Sequence, residues 1–426
     1  MEDFSSLLQS EVSLLSRRLR GMAMISRGIV PDLVISQQFV DRVVKAAQGY
    51  IEDETGESMV GLVIDSDEPE KMPTMYVLDA ISPDSEVIRR SHMFEHGDEM
   101  QQDIFFWLLE NWTGYQNIGR DMTGKPIRDE WREELKHLGD WHKQPGFMIQ
   151  PSGGDLMTAL RFMEDEENQF EFLLVPIVTL GHPSVTSEEG AQVNYFTVPM
   201  DDGTSLRMDW WFIHRDVRVF QPITPKVVPT DEVPILTPYP WHILRRDLLD
   251  EEIGLLQDDN KWLTSASAIF WEADGDLPLE ICFILGTGNS ADVFLVITDW
   301  DYPNTKPRIR VTDFGGVDLT QYIADVFAAL WDKSEPAPEP KDFEWNPESS
   351  YIVDYLAMIE KEMGIRPEGP MPWERDNAQT VMIEVETEDE DDTVVVVDEE
   401  ASLIDDVVAE VADNLDETDP SEEEVP

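Results

Sequence analysis

The sequence predicts a mixed α/β chain of the α+β type: a mixed sheet with flanking helices, then a second, smaller α+β domain and an acidic tail. Short apolar runs rich in β-branched and aromatic residues alternate with segments whose apolar residues recur at helical spacing. A stretch crowded with prolines at residues 221–240 separates two such series. Beyond residue 375 acidic residues predominate, so we expect the packed cores to end before that point.

The charge of the chain limits the partners that it is expected to bind. Its 426 residues are enough for two domains, and they carry a formal net charge of −58. Residues 376–426 hold 21 of the 89 Asp and Glu residues and no Lys or Arg, which leaves 68 acidic against 31 basic residues in the rest of the chain. Direct binding to nucleic acid or to an anionic membrane is therefore disfavoured, and a basic or zwitterionic protein partner is favoured.

Cysteine usage and hydropathy indicate a cytoplasmic protein. Cys282 is the only cysteine, so the chain has neither a disulfide framework nor a cysteine-based zinc site, and a reducing cytoplasm is the expected setting. No charged-then-apolar leader opens the sequence, and no run approaches the roughly 20 apolar residues of a membrane span. The oligomeric state is left open.

The first series predicts an amphipathic helix within residues 1–30 and an α/β domain over residues 31–225. A helical period leads into Glu54, and SMVGLVID and MYVLDAIS then read as two strands around a turn. MQQDIFFWLLENWTGY predicts a helix, LGDWHKQ a short strand, and DLMTALRFME a further helix. The remaining strand candidates are EFLLVPIVT, VNYFTVPM and SLRMDWWFIH.

The second series predicts an extended linker over residues 226–240, because prolines are so frequent there, and a smaller domain over residues 241–335. The small domain is expected to contain a helix, three successive strands and a closing helix. Residues 336–426 are expected to hold one helix, SSYIVDYLAMIEKEMG, and the acidic tail, which we expect to be partly disordered.

The stretch HLGDWHKQPGFMIQPSGGD, at residues 137–155, carries the most specific motif of the chain. His142 is followed by Gln144 after two positions, by Ser152 after eight more, and by Asp155 after three more. Glu54 stands upstream, before a strand candidate. This pattern resembles the JAMM (also called JAB or MPN) metalloprotease signature, a Glu followed by H-x-H-x7-S-x2-D, except that Gln144 occupies the place of the second histidine.

The resemblance implies a JAMM-type mixed sheet and a zinc site. His142, Gln144 and Asp155 would be the metal ligands, Glu54 the general base, and Ser152 the hydroxyl that stabilises the oxyanion. Such residue types suit zinc hydrolysis, which needs about three protein ligands, an open position for water and a nearby carboxylate. Residues two apart on a strand point to one side, so His142 and Gln144 would share a target. Gln144 is a poorer ligand than imidazole, so metal affinity should be reduced.

Simpler interpretations of the same residues stay open. Ser152 and Asp155 form an S-x-x-D capping box before an apolar run, and His142 alone is typical of a hydrogen-bonded core histidine. A rival metal motif, H-x-x-E-H, lies at His92, Glu95 and His96. Gly97 and a position between a strand and a helix favour an ordinary loop there.

The second domain resembles the ubiquitin-conjugating-enzyme and RWD fold. The matching residues in FLVITDWDYPNTKPRIRV are Phe294, Tyr302, Pro303 and Pro307. Conjugating enzymes use a cysteine after the Tyr-Pro turn, and this chain has none there. Cys282 lies within an apolar run and is expected to be a buried, inert thiol. The resemblance therefore implies a binding or scaffolding module.

Together the two resemblances imply a zinc-dependent JAMM-type peptidase or isopeptidase that acts on a ubiquitin-like protein or its conjugates. The alternative is an inactive JAMM pseudoenzyme that serves as a binding or scaffold module in a ubiquitin-like pathway. Gln144 is the residue that separates these two hypotheses.

Overall fold

The computed structural model describes residues 19–68, 70–84, 87–91, 93–95, 99–164, 170–183, 193–257, 263–271 and 277–366. The predicted fold class is confirmed, because the described chain forms a large mixed sheet with flanking helices and a second, antiparallel sheet. Most of the predicted N-terminal helix and the whole acidic tail lie outside these residues.

The first half of the chain supplies thirteen of the described strands and, besides helical residues 19–25 and two short 3-10 helices, three α-helices. The helices are α1 (Gln37–Gly49), α2 (Glu99–Ile118) and α3 (Gly153–Glu164). The strands are β1 (Asp32–Ser36), β2 (Thr55–Ile64), β3 (Thr74–Ile81), β4 (Ile88–Arg90), β5 (Met93–Glu95), β6 (Lys136–Lys143), β7 (Phe172–Leu174), β8 (Ile177–Pro183), β9 (Tyr195–Pro199), β10 (Thr204–Asp209), β11 (Trp211–His214), β12 (Gln221–Pro222) and β13 (Pro225–Val228).

Eleven of these strands form one sheet in the order β12-β11-β7-β6-β2-β3-β1-β13, and β8 joins β6 to a β10–β9 extension. β6 lies in the middle, antiparallel to β2 and parallel to both β7 and β8. A strand in this position is held from both edges, so side chains on it are well placed to form a rigid site.

Local sequence explains how α1 packs on this sheet. Ser36 caps the helix, because its hydroxyl accepts a hydrogen bond from the Phe39 amide. The buried side chains Phe39, Val43 and Ala47 recur about once per helical turn and join the core that contains Trp141.

A β-bulge in β6 changes which residues face α3. Met59 of β2 pairs with Gly139, but Val60 pairs with His137, so Leu138 is an extra residue. Gly139 has φ +115°, and a Cβ there would lie 2.1 Å from the Leu174 carbonyl oxygen. Glycine is therefore required at this point, both by the backbone conformation and by the close approach of β7.

The proline-rich segment differs from the extended linker that composition predicts. β13 pairs in parallel with β1, and Val228, Val233 and Leu236 are buried in a core shared with α2. The Trp107 indole also donates a hydrogen bond to the Pro238 carbonyl at 3.2 Å. Apolar residues between the prolines give this segment a surface to bury, so it packs on the first sheet.

The second half contains α4 (Trp241–Leu244), α5 (Arg246–Gln257), α6 (Ile323–Lys333) and α7 (Ile352–Met363). Its strands form an antiparallel sheet in sequence order, and they are β14 (Leu263–Trp271), β15 (Glu280–Thr287), β16 (Asp292–Thr298), β17 (Arg308–Asp313) and β18 (Glu335–Pro336). No helix in the described ranges is both long and apolar enough to span a bilayer.

The two faces of this antiparallel sheet are covered by different helices. Phe327 and Leu330 of α6 pack with Cys282 on one side. On the other side Leu356 of α7 packs with Phe294. The helix that composition groups with the acidic tail thus contributes to the core of the second sheet, beyond the predicted domain end at residue 335.

Candidate metal centre

The structure brings His142, Gln144 and Asp155 together at the end of β6. His142 Nε2 lies 3.1 Å from Gln144 Nε2 and 3.6 Å from Asp155 Oδ1. The side chains of His142 and Asp155 keep 14% and 21% of their surface exposed, whereas Gln144 is buried. The three residues therefore form a compact polar group that water or a small ion can reach.

Strand pairing explains why His142 and Gln144 share a side. Gln144 lies one residue past the end of β6, but its amide still donates to the Val178 carbonyl at 2.9 Å. The backbone thus stays extended through Gln144, and residues two apart on an extended chain point the same way. This is the arrangement that the spacing predicts.

Asp155 uses its two carboxylate oxygens differently. Oδ2 accepts a hydrogen bond from the Ser152 amide, and the Asp155 amide donates to Ser152 Oγ at 3.2 Å. These bonds form the capping box at the start of α3, which was the simpler interpretation of Ser152 and Asp155. Oδ1 remains directed at His142. Capping and ligation are therefore compatible, because each employs a separate oxygen.

Glu54 precedes β2, directly beside the strand that carries the centre. Thr55 pairs with Lys143 and Gly56 pairs with His142. Extending this register by one residue places Glu54 across from Gln144, and the Glu54 amide donates to the Arg90 carbonyl at 2.9 Å. Burial lowers the pKa of Lys143, and the Glu54 carboxylate is among the charges that oppose this shift.

His137 lies on the same side of β6 as His142, although alternation over five residues predicts the opposite side. The extra residue at Leu138 restores the register, so His137 and Asp140 both line the face that α3 covers. His137 Nε2 is 3.1 Å from Asp140 Oδ1, which also accepts from Ser58 Oγ at 2.8 Å. Gly139 is the only sequence signal for this bulge.

His182 lies on β8, the strand that pairs with the end of β6, and its spacing in the sequence does not indicate this. Ile177 of β8 pairs with His142, so Thr179, two residues on, lies on the same side of the sheet. Thr179 Oγ1 is 2.7 Å from His182 Nε2, and the Phe147 ring covers His182 edge-on at 5.0 Å. Burial lowers the pKa of His182, and the charge of Arg207 lowers it further. Because β8 follows β6 by more than 30 residues, no local motif could reveal the pairing of these two strands.

The candidate ligands can hold a metal ion only if Gln144 is one of them. Within the described residues, no group of three or more His, Cys, Asp or Glu side chains is placed to hold a metal ion. Gln144 Oε1 is buried and has no hydrogen-bond partner in that part of the chain. A half-turn of the amide exchanges Oε1 with Nε2 and directs a carbonyl oxygen at His142. One imidazole nitrogen, one carboxylate oxygen and one amide oxygen then converge.

The sequence offers two further candidates for metal binding or catalysis, the H-x-x-E-H motif and Cys282. His92 and His96 of the rival H-x-x-E-H motif lie outside the described residues, and Glu95 ends β5, a strand. Cys282 is fully buried in β15, and burial raises the pKa of its thiol, as expected for an inert cysteine.

Comparison with known proteins identifies no family for this chain. No family model matches it, and no curated protein matches it. One solved structure to which it is similar is the protein DSY2949 from Desulfitobacterium hafniense, at 12% identity, over 46% of this chain and 93% of that chain. The TM-score of 0.23 is too low for this likeness to support a functional argument.

Proposed function

We propose that the first sheet carries a zinc-dependent peptidase or isopeptidase of the JAMM type, acting on a ubiquitin-like protein or its conjugates. One observation supports it most directly. The buried amide of Gln144 lies with its Nε2 beside His142 Nε2, and its Oε1 has no hydrogen-bond partner among the described residues. No hydrogen bond of Oε1 therefore fixes the amide in this orientation, and the half-turned amide could present its oxygen to a metal held by His142 and Asp155.

The residues of the candidate metal centre would have separate roles in the reaction. His142, Asp155 and Gln144 would hold the zinc, which when bound lowers the pKa of water and polarises a carbonyl group. Glu54 would accept a proton and return it to the leaving amine. Ser152 already accepts a hydrogen bond from the Asp155 amide, so its own hydroxyl proton is available to an oxyanion.

The substrate class rests on the resemblances of the two halves, and charge agrees with it. A chain of net charge −58 repels nucleic acid and anionic lipid, which favours a basic or zwitterionic protein as the substrate. We also propose a reducing cytoplasm as the setting, because a single cysteine cannot form a disulfide bond within the chain.

A second candidate is favoured by a specific contact. Gln144 Nε2 lies at hydrogen-bond distance from His142 Nε2, the nitrogen that would face the metal. If this bond persists in solution, the centre is closed to metal and the domain is a pseudoenzyme that only binds its partner.

Zinc binding to the full chain separates the two. Isothermal titration with zinc should give one site per chain, and the zinc-loaded protein should cleave a peptide fused to the C-terminus of a ubiquitin-like protein. A wild-type chain that takes up no zinc would overturn the peptidase proposal and leave the pseudoenzyme.

A further inference from the structure

A cavity of about 630 Å³ opens in the second half of the chain, formed by elements other than those of the candidate metal centre. Its walls are α4, the start of α5, the turn at residues 300–304 and the segment at residues 347–351 that leads into α7. Its volume lies within the range of about 300–1,000 Å³ that binding sites occupy.

The floor of the cavity is aromatic and well ordered by packing. Trp241 and Tyr302 are almost fully buried, with ring centroids 4.7 Å apart. The Trp241 indole donates to Thr298 Oγ1 at 3.1 Å, and the Trp345 indole donates to the Pro303 carbonyl at 2.7 Å. Preorganised aromatic walls of this kind reduce the entropy lost on binding.

The rim of the cavity is apolar and open to solvent. Trp300 is 39% exposed and Leu244 is 48% exposed. Such large apolar side chains beside a concave surface are typical of sites that contact another molecule.

The charged groups of the cavity are mainly acidic. Glu251, Asp301 and Glu348 line it, and the one basic residue in the lining, Arg245, has its Nε 3.3 Å from an Asp247 carboxylate oxygen. Asp301 Oδ1 is buried and has no hydrogen-bond partner within the described ranges. Glu251 accepts a hydrogen bond from the Tyr351 hydroxyl at 2.6 Å, so the lining offers its carboxylates a hydrogen bond but no cation other than Arg245.

We propose that this cavity binds a lysine or arginine side chain presented by a peptide segment of a protein partner. A cation that lies over an aromatic face gains about 0.5–2 kcal/mol of binding free energy. The aliphatic stem of the same side chain would pack against Leu244 and Trp300. The carboxylates of Glu251 and Asp301 would receive the charged end. The acidic character of the whole chain favours a basic partner as well. This inference is independent of zinc and of the proposed peptidase activity.

The test uses the full chain labelled with 5-fluorotryptophan and a short peptide, acetyl-Ala-Leu-Lys-Leu-Ala-amide. Binding is followed by fluorine NMR, and the resonance that is missing from the spectrum of the Trp300→Phe variant is assigned to Trp300. We expect the lysine peptide to shift this resonance saturably, and the same peptide with acetylated lysine to bind roughly tenfold more weakly, equivalent to about 1.4 kcal/mol. Because the readout is local to the rim, binding of the peptide to the acidic tail does not produce it.

Two variants and two matched controls complete the test. Trp300→Ala, followed by the 5-fluorotryptophan resonance of Trp241 in the cavity floor, and Asp301→Asn, followed by the Trp300 resonance, should each weaken binding roughly tenfold. Tyr322→Ala and Asp332→Asn make similar changes on exposed residues that do not line the cavity, and they should bind as wild type does. The proposal is overturned if acetyl-lysine binds equally well, if both cavity variants bind normally, or if a glutamate peptide binds better.

Discussion

The candidate metal centre and the cluster around Glu252 hold similar polar groups in opposite surroundings. Glu252 of α5 is fully buried, and it accepts hydrogen bonds from the Tyr302 hydroxyl and from the Ile352 amide that begins α7. At the metal centre, His142 and Asp155 are partly exposed.

The two regions also differ in how completely their polar atoms are satisfied. Both oxygens of Glu252 face the Ile352 amide, at 3.4 and 3.1 Å, whereas Gln144 Oε1 lacks a partner among the described residues. A buried polar group with its partners in place stabilises a fold, and one that lacks them beside accessible ligands indicates a binding site. Substitutions should therefore change stability around Glu252 and function at the candidate metal centre.

The largest expected effect is loss of zinc from the candidate centre. His142→Ala removes the strongest uncharged metal ligand, so isothermal titration should show no zinc binding. The free energy of unfolding should change by less than about 1 kcal/mol. Gln144→His should tighten zinc binding, because imidazole replaces a neutral amide oxygen. His182→Ala is the matched control, and a loss of zinc in that variant would place His182 among the ligands.

Glu54→Gln should lower the rate of cleavage by about 10² to 10⁴ without loss of zinc. The substitution keeps the shape of the side chain and removes its basicity, so the folded state should unfold at a similar temperature. Cleavage of a ubiquitin-like fusion measures the rate, and titration measures the zinc. Full activity in this variant would reduce Glu54 to a structural residue before β2, and loss of metal would make it a ligand.

Glu252→Ala should destabilise the chain by about 3 kcal/mol. It leaves the Tyr302 hydroxyl and the Ile352 amide buried without their acceptor and opens space between α5 and α7. Urea unfolding at pH 5, where the buried carboxyl is still protonated, measures the loss. Asp250→Ala, on an exposed neighbour in the same helix, should change stability by no more than about 0.5 kcal/mol. Equal effects at the two positions would contradict a structural role for Glu252.

The same carboxyl should make stability depend on pH. Burial raises the pKa of Glu252 from 4.5 to about 7, and the hydrogen bond from Tyr302 opposes the rise. The folded chain therefore keeps a proton that the unfolded chain releases between these values. This contribution is complete below about pH 4.5 and is lost as the pH rises through about 7. Relative to Glu252→Gln, wild type should lose up to about 3 kcal/mol over this window, measured by urea unfolding at each pH. Parallel curves would refute the shift.

The smallest expected effect concerns an ion pair that joins the two halves at their surface. Arg246 of α5 pairs with Asp103 of α2, and both side chains are about half exposed. Exposed pairs contribute about 0–1 kcal/mol, so Arg246→Ala should change the free energy of unfolding by less than that. The double variant with Asp103→Ala gives the coupling energy. A larger coupling would show that the two halves depend on this contact.

The features that sequence alone determined are those carried by local periodicity. Helical spacing of apolar residues predicts α2 and α3, and alternating apolar runs predict β2 and β3, because each pattern is set by neighbours a few residues away. The same holds within the candidate site. His142 and Gln144 share a side because they lie two apart on an extended chain, and Asp155 follows at the start of a helix that Ser152 caps.

The features that only tertiary structure decided depend on pairing between distant segments. His137 joins the face of His142 because β2 and β7 hold a bulge at Leu138, and Thr179, which contacts His182, lies on that face because β8 pairs with β6. The proline-rich segment and α7 are packed elements because apolar residues in each meet a surface built elsewhere in the chain. A one-residue change of register reverses every side chain on a strand, so these placements are fixed by the assembled sheet and not by any local pattern.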